Sequence, residues 1–145
     1  MLKSNLHSHL LAGVALAVAL ATPAFAMDKT VKIGVLNDMS SLYADIGGPN
    51  SVVAVKMAVE DSGLLKKGWT IDVVSGDHQN KPDVGVNITR KWIDTEKVDA
   101  IADTPNSGVA LAVSNVVREK NAVLLNSGAA SADLTQAGSG HKVPA

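Results

Sequence analysis

The chain has 145 residues, a formal net charge of −1 and no cysteine. The length bounds it to one domain or part of one. The near-neutral charge offers no electrostatic footprint for nucleic acid. The missing thiols exclude a disulfide framework, cysteine-ligated zinc and a thiol nucleophile together.

MLKSNLHSH carries Lys3 and no acid, and an unbroken apolar run from Leu10 to Ala21 follows it. The run is too short for a spanning helix, which needs roughly 20 residues. TPAFA comes next and places Ala24 and Ala26 at the small-residue positions of a cleavage site. The three parts predict a secretory signal peptide over residues 1–26 and a chain that is not membrane-anchored.

Thr30 to Asn37 (TVKIGVLN) predicts a buried strand. After the loop DMSSLYADIGG, Pro49 opens a helix with Val52, Val55 and Val59 on one face, and Gly63 closes it. TIDVVS, Thr70 to Ser75, predicts the second strand. Pro82 opens the second helix, and Val84, Ile88 and Trp92 form one stripe along it. VDAIA, Val98 to Ala102, predicts the third strand. The third helix carries Val109, Val113, Val116 and Val117 on one face, with Asn121 placed to cap its end. Ala122 to Leu125 predicts the fourth strand, and the tail from Gln136 to Ala145 loses all periodicity. Alternating strands and helices with continuous apolar strands predict an α/β domain, a parallel sheet covered on both faces.

Ligands in such sheets bind beyond the carboxyl ends of the strands. Four loops lie there: 38–48, 76–81, 103–107 and 126–131. Asn106 and Ser107 suit the start of the third helix, whose unpaired amides would accept an anion. Asn126 to Ser131 (NSGAAS) holds only small or short polar side chains, as one wall of a small-molecule site would. Tyr43, the only tyrosine, lies in the first loop and could stack on a ligand. His78 reads as a solvated loop residue, with metal binding beside Asp77 the lesser alternative. Phosphate-loop, dinucleotide and nucleophile-elbow motifs are all missing. Asp38, Asp103 and Ser127 at three strand ends parallel the acids and hydroxyl of phospho-receiver domains, but the exported leader and the lack of a fifth strand with its lysine oppose that reading.

KIGVLNDMSSLYADIGGPNSVVAVKMAVED, DHQNKPDVGVNITRKWID, VDAIADTPNSGVALAVSNVVREK and VLLNSGAASADLT, in that order, resemble the N-terminal lobe of periplasmic solute-binding proteins of ABC importers, branched-chain amino acid (Leu/Ile/Val-binding) type. The resemblance covers about Val31 to Thr135. It implies a three-layer α/β lobe of a type I periplasmic binding protein, here truncated, with residues 27–135 as a partial ligand-binding lobe and 136–145 as an aperiodic tail. It implies a binding protein without catalytic residues, cofactor or metal. Its partners would be a small carboxylated solute, amino acid or aromatic acid, and a membrane ABC permease. On that resemblance Tyr43 and Ile46 reach the ligand from the first loop, and Asn106 and Ser107 from the third. Gly128, Ala129, Ala130 and Ser131 do so from the fourth. Ala130 and Ser131 stand where amino-acid binders of the family often carry a threonine, which points away from a plain branched-chain amino acid. A second lobe would complete the site, so the chain alone is expected to bind weakly. The alternative reading is the ligand-sensing domain of a receptor built on the same lobe.

Overall fold

The computed structural model describes residues 28–135. The expected signal peptide (1–26) and the aperiodic tail (136–145) lie outside the described residues. Strand β1 spans Thr30–Asn37, and helix α1 spans Gly48–Asp61 with a proline in its first turn. A single 3-10 turn, Leu65–Lys67, leads into β2, Thr70–Asp77. Helix α2, Pro82–Lys91, widens into a π turn at Trp92–Glu96 and gives way to β3, Ala100–Ala102. Helix α3 (Ser107–Glu119), β4 (Val123–Leu125) and a 3-10 turn at Ala132–Leu134 complete the order.

All four strands are parallel, in the order β2-β1-β3-β4. The chain steps one way from β1 to β2 and the other way from β2 to β3 and β4. Right-handed crossovers therefore put α1 on one face and α2 with α3 on the other. Strand order reverses between β1 and β3, which is where such sheets open a crevice.

The core lies under α2 and α3. Leu36 and Ile101 of the sheet pack with Trp92, Val98, Val109, Val113 and Val117. The predicted stripe of α3 holds: Val109, Val113, Val116 and Val117 are all buried. Trp92, last of the predicted α2 stripe, lies on a floor without side chains. A Cβ on Gly34 would come within 2.5 Å of the indole, and one on Gly76 within 2.9 Å. Glycine in these two strands thus makes room for the ring.

Three element boundaries differ from expectation, each for a local reason. β2 continues through Gly76 to Asp77, because the indole fills the place of the missing side chain. β3 starts at Ala100 because the Asp99 carboxylate accepts the Lys32 amide at 2.8 Å. β4 starts at Val123 because the Ala122 amide donates to Val117 O at 2.9 Å and closes the end of α3. Asn121 takes the left-handed position past that helix, φ 52°.

The sheet is not covered on both faces throughout. Register places Val123 beside Ala100 and Ile33, and Leu125 beside Ala102 and Val35, on the face of α1. That helix packs on β1 and β2. Val123 and Leu125 consequently remain 49% and 58% exposed. Among the described residues no helix is long and apolar enough to cross a membrane.

Candidate functional site

The carboxyl edge of the sheet is organised by buried polar side chains. Asn37 ends β1 fully buried, and each of its polar atoms is used. Its Nδ2 donates to Asp103 Oδ2 at 2.7 Å and to Ser51 Oγ at 2.9 Å, and its Oδ1 accepts the Asp38 amide at 2.7 Å.

Asp38, also fully buried, folds the first loop around its carboxylate. The Ser41 hydroxyl donates to it at 2.6 Å, the Ser41 amide at 2.8 Å and the Tyr43 amide at 2.9 Å. Asp77, at the end of β2, accepts the Ser40 hydroxyl at 2.6 Å and the amides of Met39 and Gln79. Burial alone would raise both carboxyls. The donors win: Ser41 and the Tyr43 and Ser40 amides hold Asp38 below the usual carboxylate value, and Ser40, Met39 and Gln79 do the same for Asp77. These acids shape a loop, and each of their carboxylate oxygens already accepts at least one hydrogen bond. The phospho-receiver arrangement is not formed, since Asp38 turns into its own loop while Asp103 and Ser127 bond to each other. Among the described residues no group of three ligating side chains could hold a metal.

His78 corrects the sequence reading. It is fully buried and not solvated. Its Nδ1 accepts the Asn80 amide at 3.0 Å, while Nε2 has no hydrogen-bond partner among the described residues. Burial pushes the imidazole below its ordinary value, against the opposing pull of Asp38, Asp77 and Asp103. Position in a polar stretch hid this, because the covering contact comes from further along the chain: a Cβ on Gly85 of α2 would lie 3.6 Å from His78 Cβ.

The eight candidate residues are not equally placed. Tyr43 is half-buried, and its carbonyl accepts the amides of Ile46 and Gly47; Ile46 is 77% exposed. Among the described residues both hydrogen-bond only within the first loop. Asn106 is spent on structure. Its Oδ1 caps α3 through the Val109 amide at 2.8 Å, and its Nδ2 donates to Asn80 Oδ1. Ser107 opens α3, and its amide and that of Gly108 belong to the first turn, without intrahelical acceptors.

In the fourth loop, Asn126 Oδ1 already accepts the Gly128 and Ala129 amides at 3.2 and 3.0 Å. What comes close to Gly128 is the neighbouring loop: a Cβ there would meet Pro105 Cα at 3.0 Å and Asp103 Oδ1 at 3.2 Å. The glycine therefore serves loop packing, and the amides left open are those of Ala130 and Ser131. The Ser131 hydroxyl accepts the Asp133 amide at 3.3 Å and caps the following turn. Ala129 and Ser131 also line a groove of about 670 Å³ with Ser114, Val117, Leu124 and Leu134, beside β4. None of the first- or third-loop candidates reaches it. Sequence reasoning missed Asn37, Ser51 and Asp77 as loop organisers. A polar residue closing an apolar strand, as Asn37 does, was the available signal.

An open parallel sheet with its switch point between β1 and β3, and with polar loops and a helix start at that edge, defines an α/β lobe of the kind that opens a crevice there. The chain belongs to the periplasmic binding protein family, whose model matches residues 30–143. It is similar to a periplasmic binding protein from Burkholderia mallei, at 42% identity over 74% of this chain and 28% of that one, TM-score 0.67. It is similar to a branched-chain amino acid ABC transporter periplasmic ligand-binding protein from Burkholderia xenovorans, at 46% identity over 71% of this chain and 28% of that one, TM-score 0.66. A solute-binding protein of an ABC transporter from Rhodopseudomonas palustris, solved with benzoate, matches at 28% identity over 74% of this chain and 30% of that one, TM-score 0.66. The chain thus spans less than a third of the length of these relatives. No curated protein matches it. The family and these neighbours are solute-binding proteins, not enzymes.

Proposed function

We propose that the chain is the N-terminal ligand-binding lobe of a periplasmic solute-binding protein serving an ABC importer, with 1–26 as its cleaved leader. Its solute is a small carboxylate, either an amino acid or an aromatic acid. The observation that carries this reading is the start of α3. The Ser107 and Gly108 amides open at the switch-point edge, between the loops after β1 and β4, where a carboxylate gains both hydrogen bonds and the positive end of the helix dipole. Family membership, a neighbour named as the ligand-binding protein of a branched-chain amino acid transporter and another solved with benzoate support the solute class.

In this reading the lobe supplies one wall. The Ser107, Gly108, Ala130 and Ser131 amides meet the carboxylate, and Tyr43 and Ile46 offer apolar surface for the remainder of the solute. Ligand sites usually bury most of the ligand surface, so one wall alone binds weakly.

The test is an amide-shift titration of the chain with benzoate and with leucine. The expected outcome is a saturable shift at Ser107, Gly108 and Ser131 in the millimolar range with at least one probe. A shift confined to the groove beside β4, at Ser114 and Leu134, would move the site. Binding below the micromolar range would overturn the one-wall account.

A further inference from the structure

Three separate elements at the carboxyl edge converge on one carboxylate. Asp103 Oδ2 accepts Ser51 Oγ at 2.5 Å and Asn37 Nδ2 at 2.7 Å, while Oδ1 accepts Ser127 Oγ at 2.8 Å. Its own amide donates to Leu125 O at 3.0 Å. These partners belong to the end of β1, the first turn of α1, the loop after β4 and the end of β4. Gly128 packs against the same carboxylate. The residue takes a left-handed backbone, φ 54°, which aspartate tolerates better than most side chains. An ionised carboxylate is acceptor-only with two oxygens, so it can serve three donors at once; an amide side chain has one accepting oxygen. None of the ion pairs among the described residues involves Asp103; its partners there are hydrogen-bond donors.

We propose that Asp103 is the positioning residue of the cleft, its carboxylate fixing the loop after β4 against the end of β1 and the start of α1. It touches no ligand in this role. It sets the spacing between the walls that bear Tyr43 and Ile46 on one side and Ala130 and Ser131 on the other. The importance of that spacing rests on the binding reading above; the coupling itself rests on the hydrogen bonds alone.

Amide hydrogen exchange on the full chain separates the two. Asp103→Gly keeps the left-handed backbone without strain and deletes all three bonds. Exchange at Gly128 and Ala129, and at Asn50 and Ser51, should rise together by roughly tenfold or more, the scale of losing hydrogen bonds to a charged acceptor. Asp103→Asn should give a smaller rise at the same sites. Val35 and Ile101 in the strand centres should be unchanged. A change confined to the immediate neighbours of residue 103 would overturn the proposal. If Asp103→Gly also loosens the strand centres, Ser127→Ala decides: it should free Gly128 and Ala129 and leave Ser51 protected, and unaltered Gly128 exchange would overturn the proposal. Titration with benzoate and leucine supplies a readout that simple loss of structure would not give. Weaker shifts at Ser107 and Gly108 in Asp103→Gly, with the strand centres intact, support positioning; shifts equal to wild type oppose it. A wild-type chain that answers neither probe sinks the binding reading, and the exchange data still decide the coupling.

Discussion

Single residues in this sheet are constrained mainly by what lies across from them. Gly34 and Gly76 are small because the Trp92 indole covers both, and Gly128 is small because Pro105 and Asp103 approach it. The sequence shows a glycine in each case, but not the element that arrives from far along the chain to need it. Gly34→Ala would set a methyl 2.5 Å and 2.6 Å from two ring carbons of Trp92. Strand pairing on both sides of β1 leaves the backbone little room to retreat, and the ring is rigid. The expected cost is about 1–3 kcal/mol, the usual penalty for overpacking a core. Urea denaturation checks it. Adding Trp92→Leu to the same chain should recover part of the loss, because the two sites share one space. A Gly34→Ala chain as stable as wild type would mean that the indole does not rest on the glycine floor.

At the scale of elements, periodicity predicted the order β-α-β-α-β-α-β and the buried face of α3, since apolar spacing is a local property of the chain. On α2 the stripe was partly right, with Trp92 in the core but Val84 and Ile88 only partly buried while Gly85 and Thr89 are buried. Boundaries were less legible, because partners outside each segment set them: the Asp99 carboxylate on the Lys32 amide shortens β3, and the Ala122 amide on Val117 shortens β4. The site was legible as loops and not as bonds. Asn106 was read at the start of the third helix and does cap it, whereas Ser131, read as a ligand contact, caps a 3-10 turn that the sequence did not announce. His78, in the β2–α2 connection, was not legible. Its burial has a consequence for pH. Burial makes the folded imidazole harder to protonate than the unfolded one, which takes up a proton near pH 6.5. Stability is therefore complete above about pH 6.5 and falls as pH drops toward the lowered folded value, because the unfolded state binds more protons there. Asp38 and Asp77 add a second, more acidic step: their contribution is complete above about pH 3.9 and is lost as pH falls through their depressed folded values. Thermal melts across this range should show two falls. His78→Asn places an oxygen near Nδ1 to accept the Asn80 amide, and should remove the first fall while keeping the second. Persistence of the first fall in that variant would assign it to another group.

For the whole molecule, one face of the sheet is finished and the other is half open. α2 and α3 bury Leu36, Ile101 and Trp92, whereas α1 packs mainly on β1 and β2. Val53 and Met57 on α1 and Val123 and Leu125 on β4 are each about half exposed, and β4 is an edge strand only three residues long. The opposite edge, β2, carries Asp72 exposed to solvent, a charge of the kind that keeps sheet edges apart. β4 has no charged residue. With a net charge of −1, long-range repulsion does little to keep copies separate. The chain taken alone should therefore self-associate through the β4 side as its concentration rises. Val123→Lys puts a charge on that edge at a half-exposed position, away from the loops that bear the candidate site. It should leave the melting temperature within a few degrees of wild type, because surface changes of this kind usually alter stability by about 0.5 kcal/mol or less. It should also shift light scattering toward the monomer at concentrations where wild type associates. A matched charge on the already charged β2 edge, Thr70→Lys, should have the smaller effect. Equal effects at both edges would point to general repulsion, and the β4 edge would then hold no special place in how the chain associates.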